Sequence, residues 1–180
     1  HNMFNAMFAL GLAYIAGADL PGACQGISEF VGVRRRFEVH AGPAGGALVN
    51  DYAHHPAEIE AVLGAARRRF PGQRLVVAFQ PHQFQRTLLL LDDFAEAMAG
   101  SDIALITEIY GARETDEIMA SVSAGDLVNG VREHGCEAHF AGPVANLPEV
   151  VAEHYRAGDV VLILGAGDID AAVGRIVASI

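Results

Sequence analysis

The sequence predicts an α/β fold: a Rossmann-like, mostly parallel sheet with helices on both faces, preceded by two helices. From Arg36 onward, short runs rich in Val, Ile and Leu alternate with segments of helical periodicity. Strands joined through helices of about 10–15 residues favour right-handed crossovers and a parallel sheet. The 52% hydrophobic content and the 20 glycines are typical of a globular protein of this class.

Two apolar helices are predicted at the start of the chain. The segment "HNMFNAMFALGLAYIAG" carries apolar residues on almost every face, which predicts a buried helix that ends at Gly17. The segment "LPGACQGISEFVG" predicts a second helix, opened by Pro21 and closed near Gly32. Both helices need a large partner surface.

The remaining elements are predicted in order. "RFEVHAG" and "GGALVNDY" form a hairpin-like pair of strands. After them come, alternately, helix "PAEIEAVLGAARRRF", strand "RLVVAFQ", helix "LLLLDDFAEAMAG", strand "DIALITEIY", helix "SAGDLVNGVREHG", strand "CEAHFAG", helix "LPEVVAEHYRAG", strand "DVVLILGAG" and helix "IDAAVGRIVASI". Ligands of open parallel sheets bind beyond the carboxyl ends of the strands. The polar stretches "NDYAHHP", "FQPHQFQRT" and "EIYGARE", together with "GAGD", therefore mark the expected site.

Composition excludes several functions. The formal net charge of -10 argues against a nucleic-acid partner, because phosphate backbones are bound mainly through basic surface. All 12 basic residues are arginine, so this chain has neither a P-loop lysine nor a Schiff-base lysine. The two cysteines, without metal-ligand spacing, predict a reducing, cytoplasmic setting. The apolar opening is shorter than the ~20 residues that span a bilayer, so no membrane partner is expected.

Each motif allows more than one interpretation. "GAGD" follows the last strand and lacks the full dinucleotide fingerprint, so a tight turn is favoured over a cofactor site. Asp51, His54 and His82 could hold a metal, but adjacent histidines in a loop rarely chelate one ion, and we expect none. Pro56 and Glu58 suit helix capping. Arg86 is either a surface arginine or a recognition group for a carboxylate or phosphate.

The set of motifs, in this order along the whole chain, resembles the Mur ligase family. The matching stretches are "HNxxNA", "GVRRRFE", "NDYAHHPAEI", "FQPHQFQRT", "DDFAEAM", "EIYGARE" and "GAGDI". The combination of "DYAHHP" with "FQPH" and "RT" resembles the alanine-adding branch. The resemblance implies that residues 32–180 are the C-terminal domain of a three-domain ligase and that residues 1–31 are the last helices of its central, ATP-binding domain.

The resemblance also implies an activity. In that family, ATP phosphorylates a carboxylate, here that of UDP-N-acetylmuramate, and an amine, here that of L-alanine, attacks the acyl phosphate during peptidoglycan precursor synthesis. The cofactor Mg²⁺ is expected to be bound mainly by the central domain. A chain without the N-terminal and central domains is expected to be inactive.

Site residues carried over from the family fall into two groups. Those at the ATP site are Asn2, Asn5, Arg36 and Asp51, and those around the incoming amino acid are Tyr52, His54, His55, His82 and Arg86. The resemblance gives Arg36, His54 and Arg86 catalytic roles: charge stabilisation, proton acceptance and alignment of the amine. Gln83 stands where some relatives carry a second arginine.

Three other functions are kept as alternatives. The first is a related ligase that recycles murein tripeptide. The second is a stand-alone nucleotide-binding module that uses "GAGD" and the arginines of "RRR". The third is a metal-dependent hydrolase built on Asp51, His54 and His82.

Overall fold

The protein is described by a computed structural model that covers residues 2–30 and 32–180, with the side chain of Asn2 outside the described part. The chain divides into two compact units, residues 1–33 and residues 34–180. No helix in the described ranges has the length and hydropathy required to cross a bilayer.

The first unit is a pair of helices, α1 (Asn2–Ile15) and α2 (Leu20–Ser28). As predicted, α1 ends just before Gly17, which adopts a left-handed φ of 88°. Asp19 caps α2 by accepting a hydrogen bond from the Gly22 amide at 2.7 Å. The predicted end near Gly32 is wrong, because the final turn closes at Ser28, whose hydroxyl donates to the Gln25 carbonyl at 2.8 Å.

The second unit contains a six-stranded sheet. Its strands are β1 (Glu38–Ala41), β2 (Ala47–Asp51), β3 (Leu75–Phe79), β4 (Ile103–Thr107), β5 (Glu137–Gly142) and β6 (Val160–Leu164). Their spatial order is β1-β2-β6-β3-β4-β5. Only the β1–β2 pair is antiparallel, which confirms the predicted hairpin and the mostly parallel sheet.

Helices cover both faces of this sheet. They are α3 (Pro56–Arg69), α4 (Phe84–Leu89), α5 (Leu91–Met98), α6 (Asp116–Met119), α7 (Ala124–Glu133), α8 (Leu147–His154) and α9 (Val173–Ser179). Side chains from α3, α5 and α7 pack on one face, and those of α8 and α9 pack on the other. Strands β2, β3, β4 and β6 are buried throughout, as expected for parallel strands covered on both faces.

Three details differ from the prediction. The helix expected over "LLLLDDFAEAMAG" is two helices, α4 and α5, which break at Leu90, where φ is -117° and ψ is 25°. The last helix begins with a 3-10 turn over Asp168–Ala172 before α9. The short helix α6 was not predicted; the hydroxyl of Thr115 caps it by accepting from the Ile118 amide.

Candidate active site

Four loops meet at the carboxyl edge of the sheet. They follow β2, β3, β4 and β6, and β6 lies between β2 and β3, so the glycine-rich turn after β6 occupies the middle of the edge. Backbone hydrogen bonds connect the loops, including Gly165 N–H to the Asp51 carbonyl at 3.3 Å and Gln83 N–H to the Tyr110 carbonyl at 2.8 Å. The polar stretches predicted to share this edge are therefore neighbours.

Asp51, at the end of β2, holds the arginine-rich turn in place. Its carboxylate accepts the backbone N–H of Phe37 at 2.7 Å and that of Ala53 at 2.8 Å. Burial raises the pKa of Asp51, and this effect outweighs the two amide donors and the nearby charge of Arg36. The side chain is buried, so its main contacts are with the protein itself.

The ring of Tyr52 lies against two arginines. The guanidinium carbons of Arg35 and Arg36 lie 4.8 Å and 5.6 Å from its ring centroid, within the range of cation–π attraction. Arg36 is exposed, and among the described residues it forms no ion pair. Arg35 and Phe37 both have left-handed φ values, 58° and 51°, a conformation that costs energy for side chains other than glycine.

Arg35 crosses from this turn to the glycine-rich turn, a connection that the sequence did not predict. Its Nη2 donates to the carbonyl of Gly165 and, at 3.3 Å, to that of Gly167. Its Nε lies 3.8 Å from Asp170, whose carboxylate also accepts from Asn50 at 2.7 Å. The guanidinium of Arg35, the middle arginine of "RRR", is therefore used in contacts within the protein. Arg36 remains available to a ligand.

The histidine loop is ordered by Glu58. Its carboxylate accepts the backbone N–H of His54 at 2.9 Å and of His55 at 3.1 Å, so the predicted helix cap is confirmed. His54 Nδ1 lies 2.9 Å from the Tyr52 carbonyl, which can only accept, so Nδ1 carries the proton. With the proton on Nδ1, Nε2 is the ring nitrogen that can accept a hydrogen bond. His55 is exposed at the helix start.

His82 connects the loops after β2 and β4. Its ring stacks on Tyr110 with centroids 5.4 Å apart and lies 6.3 Å from the ring of His54. Burial, followed by the positive charge of Arg86, lowers the pKa of His82. Its Nδ1 is buried and has no partner among the described residues. His82 is therefore a neutral, incompletely satisfied imidazole at the edge.

Arg86, in the first turn of α4, is held by its own loop. Its Nη2 donates to Oε1 of Gln83 at 2.9 Å, and its buried Nη1 has no hydrogen-bond partner in the described ranges. Glu114 caps the same helix by accepting from the amides of Phe84 and Gln85 at 2.9 and 2.8 Å. Burial opposes ionisation of Glu114, but its backbone donors prevail and lower its pKa. Both carboxylate oxygens of Glu114 are therefore used to cap the start of α4.

Gln80 and Gly167 were not predicted as site residues. The buried Gln80 side chain donates to Asp168 at 2.7 Å and accepts the Ile169 amide at 3.1 Å. A Cβ atom on Gly167 would lie 2.3 Å from Gln80 Oε1 and 2.9 Å from the Tyr110 ring, so glycine is required there for a steric reason. Both residues lie in stretches that the sequence marked, Gln80 in "FQPHQFQRT" and Gly167 in "GAGD", but nothing local showed that their side chain and backbone meet.

The structure brings together most of the predicted site residues. Arg36, Asp51, Tyr52 and the two histidines of the loop lie on one part of the edge, next to His82 and Arg86. Asn5 belongs to the first unit, and the side chain of Asn2 lies outside the described part. Both Asp51 oxygens accept backbone amides, so Asp51, His54 and His82 do not form a prepared metal centre.

Known proteins resemble this chain along its whole length. The curated UDP-N-acetylmuramate–L-alanine ligase of Sorangium cellulosum is 43% identical over 96% of this chain, and that of Chloroflexus aggregans is 40% identical over all of it. The chain spans only 37% and 38% of the lengths of these two relatives. The crystal structure of the UDP-N-acetylmuramate–alanine ligase from Thermotoga maritima matches with a TM-score of 0.79 at 30% identity, covering 99% of this chain and 37% of that chain.

A second solved structure supports the fold alone. The murein peptide ligase of Psychrobacter arcticus has a TM-score of 0.69 at 23% identity, and the match covers 99% of this chain and 36% of that one. The family model described as "Mur ligase, glutamate ligase domain" matches residues 35–167, well over half of the chain. The matched range contains the whole sheet and all four loops of the edge. The chain therefore belongs to the Mur ligase family, in its glutamate ligase domain.

Proposed function

We propose that the chain is the C-terminal part of an ATP-dependent ligase that joins L-alanine to UDP-N-acetylmuramate. Relatives of that name match nearly the whole chain at 40–43% identity. In the proposed reaction, the γ-phosphoryl group of ATP moves to the muramate carboxylate and ADP leaves. The alanine nitrogen then attacks the acyl carbon, loses a proton, and phosphate leaves as the amide forms.

This proposal depends mainly on one observation: the positive charges of two arginines at the edge are not neutralised by carboxylates of the described residues. In a chain of net charge -10, neither Arg36 nor Arg86 has a carboxylate partner among the described residues, and a nitrogen of Arg86 is buried without any partner. A buried guanidinium nitrogen without a partner is costly, so the retention of Arg86 favours an anionic ligand, and the exposed Arg36 carries a positive charge that no carboxylate of the described residues neutralises. The two anions of the proposed reaction are the phosphates of ATP and the carboxylate of alanine.

We assign Arg36 to the phosphates and Arg86 to the alanine carboxylate. Arg36 is exposed beside Tyr52, where a mobile guanidinium can reach charge that develops during phosphoryl transfer. Asp51 supports this role by holding the turn that carries Arg36. Because each carboxylate oxygen can accept two hydrogen bonds, Asp51 is also proposed to accept from the ribose hydroxyls through its remaining lone pairs. Asn2 and Asn5 are proposed to contact the adenine.

The imidazoles are proposed to act around the amine. Nε2 of His54 is an acceptor, because Nδ1 donates to the Tyr52 carbonyl, so His54 is suited to take the proton from the attacking nitrogen. His82 is kept neutral by burial and by Arg86, and it forms a wall of the amino-acid pocket with Tyr52 and His55. Holding the amine in line for attack is the larger contribution.

Magnesium is proposed to be bound outside this chain. The carboxylates of Asp51, Asp168 and Asp170 already accept hydrogen bonds from protein groups, which makes them poor candidates for ion ligands. Mg²⁺ prefers one or two free carboxylates together with phosphate oxygens and water. The upstream domains of the longer polypeptide are proposed to supply these ligands and the uridine-nucleotide site.

The test is ligation by the full-length enzyme, in which this chain is preceded by its upstream domains. Phosphate release should require ATP, UDP-N-acetylmuramate and L-alanine together, and mass spectrometry should show the alanyl product. If the enzyme accepted L-alanyl-γ-D-glutamyl-meso-diaminopimelate and not alanine, the murein-tripeptide recycling ligase would be the correct function. ATP binding by the isolated chain, without ligation by the full-length protein, would instead support a nucleotide-binding module.

A further inference from the structure

A second cluster of ligand-type side chains lies at the opposite edge of the sheet. Glu137 and His139 are two residues apart on β5, so their side chains point to the same face of the strand. His154 is the last residue of α8, which packs against the sheet. Glu137 opens a parallel strand, so this cluster is at the amino edge, away from the candidate active site.

The three side chains bring their ligand atoms close together. One ligand atom from each of Glu137, His139 and His154 lies within 4.8 Å of the other two. His139 Nε2 is 2.9 Å from Oε1 of Glu137, and the two imidazole rings have centroids 4.5 Å apart. In the described ranges this is the one group of three or more such residues that meets this distance.

His154 is oriented as metal-bound histidines usually are. Its Nδ1 lies 2.9 Å from the Val150 carbonyl, which accepts the Nδ1 proton and leaves Nε2 with a free lone pair. A backbone carbonyl in this position fixes the tautomer and raises the basicity of the other nitrogen. The strand supplies the other two ligands on a rigid backbone.

The local charges also favour a cation. Glu137 supplies a carboxylate, the one acidic side chain among the three. Arg74 is the nearby positive group, and it pairs with Asp159 at 2.8 Å while donating to the His154 carbonyl at 3.0 Å. Its charge is therefore largely compensated, and it holds the end of α8 in place.

We propose that Glu137, His139 and His154 form a binding site for a divalent transition-metal ion, with Zn²⁺ as the best-suited ion. Two imidazoles and one carboxylate are a known zinc ligand set that leaves a fourth position to water. Imidazole selects Zn²⁺, Cu²⁺ or Ni²⁺ over Mg²⁺, which separates this site from the magnesium chemistry of ligation. An ion here joins edge strand β5 to the end of α8 and stabilises the folded domain.

The experiment is a Zn²⁺ titration by calorimetry of the 180-residue chain carrying Cys24→Ser, which removes the exposed thiol. We expect one ion per chain and a Zn²⁺-dependent rise in Tm that Mg²⁺ does not produce. His139→Ala and His154→Ala should each weaken binding at least ~10-fold. The matched control is His134→Ala, because His134 has a single carboxylate neighbour, Asp92 at 3.0 Å; its affinity should be unchanged.

Three results would overturn the proposal. The first is Zn²⁺ affinity that His139→Ala and His154→Ala leave unchanged, and the second is affinity lost instead with His54→Ala or His82→Ala. The third is one ion per two chains, with a dimer in light scattering, because the ion would then need ligands from a second copy. Circular dichroism of the metal-free variants checks that each remains folded.

Discussion

The Arg86 guanidinium donates through Nη2 to the side-chain oxygen of Gln83 at 2.9 Å, whereas its buried Nη1 has no partner among the described residues. One neutral hydrogen bond orients the group without neutralising its charge. This geometry suits the proposed binding of a carboxylate by Arg86, because guanidinium binds carboxylates through paired donors.

Replacing Arg86 with Ala should affect the alanine step selectively. A charge-assisted hydrogen bond is worth about 1.5–3 kcal/mol, so we expect the KM for alanine in the full-length ligase to rise roughly 10- to 100-fold. The KM for ATP should change little. Arg113→Ala, at an exposed arginine of the neighbouring loop, is the control. Equal effects of the two variants on alanine would remove Arg86 from the pocket.

The backbone of Gln83 is strained, and two variants at this position can measure the energy of that strain. Its φ of 72° is left-handed and favours glycine. Gln83→Gly and Gln83→Ala both delete the hydrogen bond to Arg86, so they differ mainly in backbone conformation. Urea denaturation should show that Gln83→Gly is more stable than Gln83→Ala by about 1–2 kcal/mol. Equal stabilities would mean that the backbone is relaxed at this position.

Arg36 and Arg34 provide a matched comparison in one exposed turn. Of these two arginines, Arg36 is the one that lies over Tyr52, and we assign it to the ATP phosphates. Arg36→Ala should lower kcat/KM for ATP roughly 10- to 100-fold through loss of charge-assisted hydrogen bonds. Arg34→Ala should stay within about twofold, because single exposed charges contribute little. Steady-state kinetics of the full-length enzyme measure both, and the reverse order would reassign the phosphate contact to Arg34.

Gly167 should tolerate no side chain. An added methyl group would collide with the buried Gln80 amide and the Tyr110 ring, so Gly167→Ala should lower the free energy of unfolding by about 1–3 kcal/mol. In contrast, Gly174 in α9 has open space around its Cα, and Gly174→Ala should stabilise the chain by up to about 1 kcal/mol. Urea denaturation compares them, and a neutral Gly167→Ala would show that Gln80 can move away.

His82 should give stability a specific dependence on pH. Its folded pKa lies below the ordinary value of 6.5, mainly because of burial, so the unfolded chain takes up the proton first as pH falls. The contribution of neutral His82 is complete above pH 6.5 and is lost as pH falls through the folded pKa. Between pH 7.5 and 5.5, wild type should therefore lose more stability than His82→Gln. Parallel losses in denaturant titrations would contradict this.

Much of the fold follows from local patterns in the chain. The continuous apolar runs of β3, β4 and β6 match strands buried on both faces, and Gly17 ends α1 where expected. The break at Leu90 was missed because its residues have ordinary helical propensity. The strand order, with β6 between β2 and β3, depends on crossovers that carry no local signal.

The candidate site, like the fold, has features that the local sequence predicts and features that depend on the tertiary structure. The sequence by itself determined which residue types are present: the arginine turn, the histidine loop, Arg86, and strand ends that meet at one edge because parallel strands share a direction. Only the tertiary structure decided that Arg35 donates hydrogen bonds to the glycine-rich turn while Arg36 stays available to a ligand. It also decided that the Gln80 side chain fills the space beside Gly167. The physical reason is that hydrogen bonding and steric fit between loops more than 80 residues apart depend on three-dimensional distances, and these arise only when the sheet has formed.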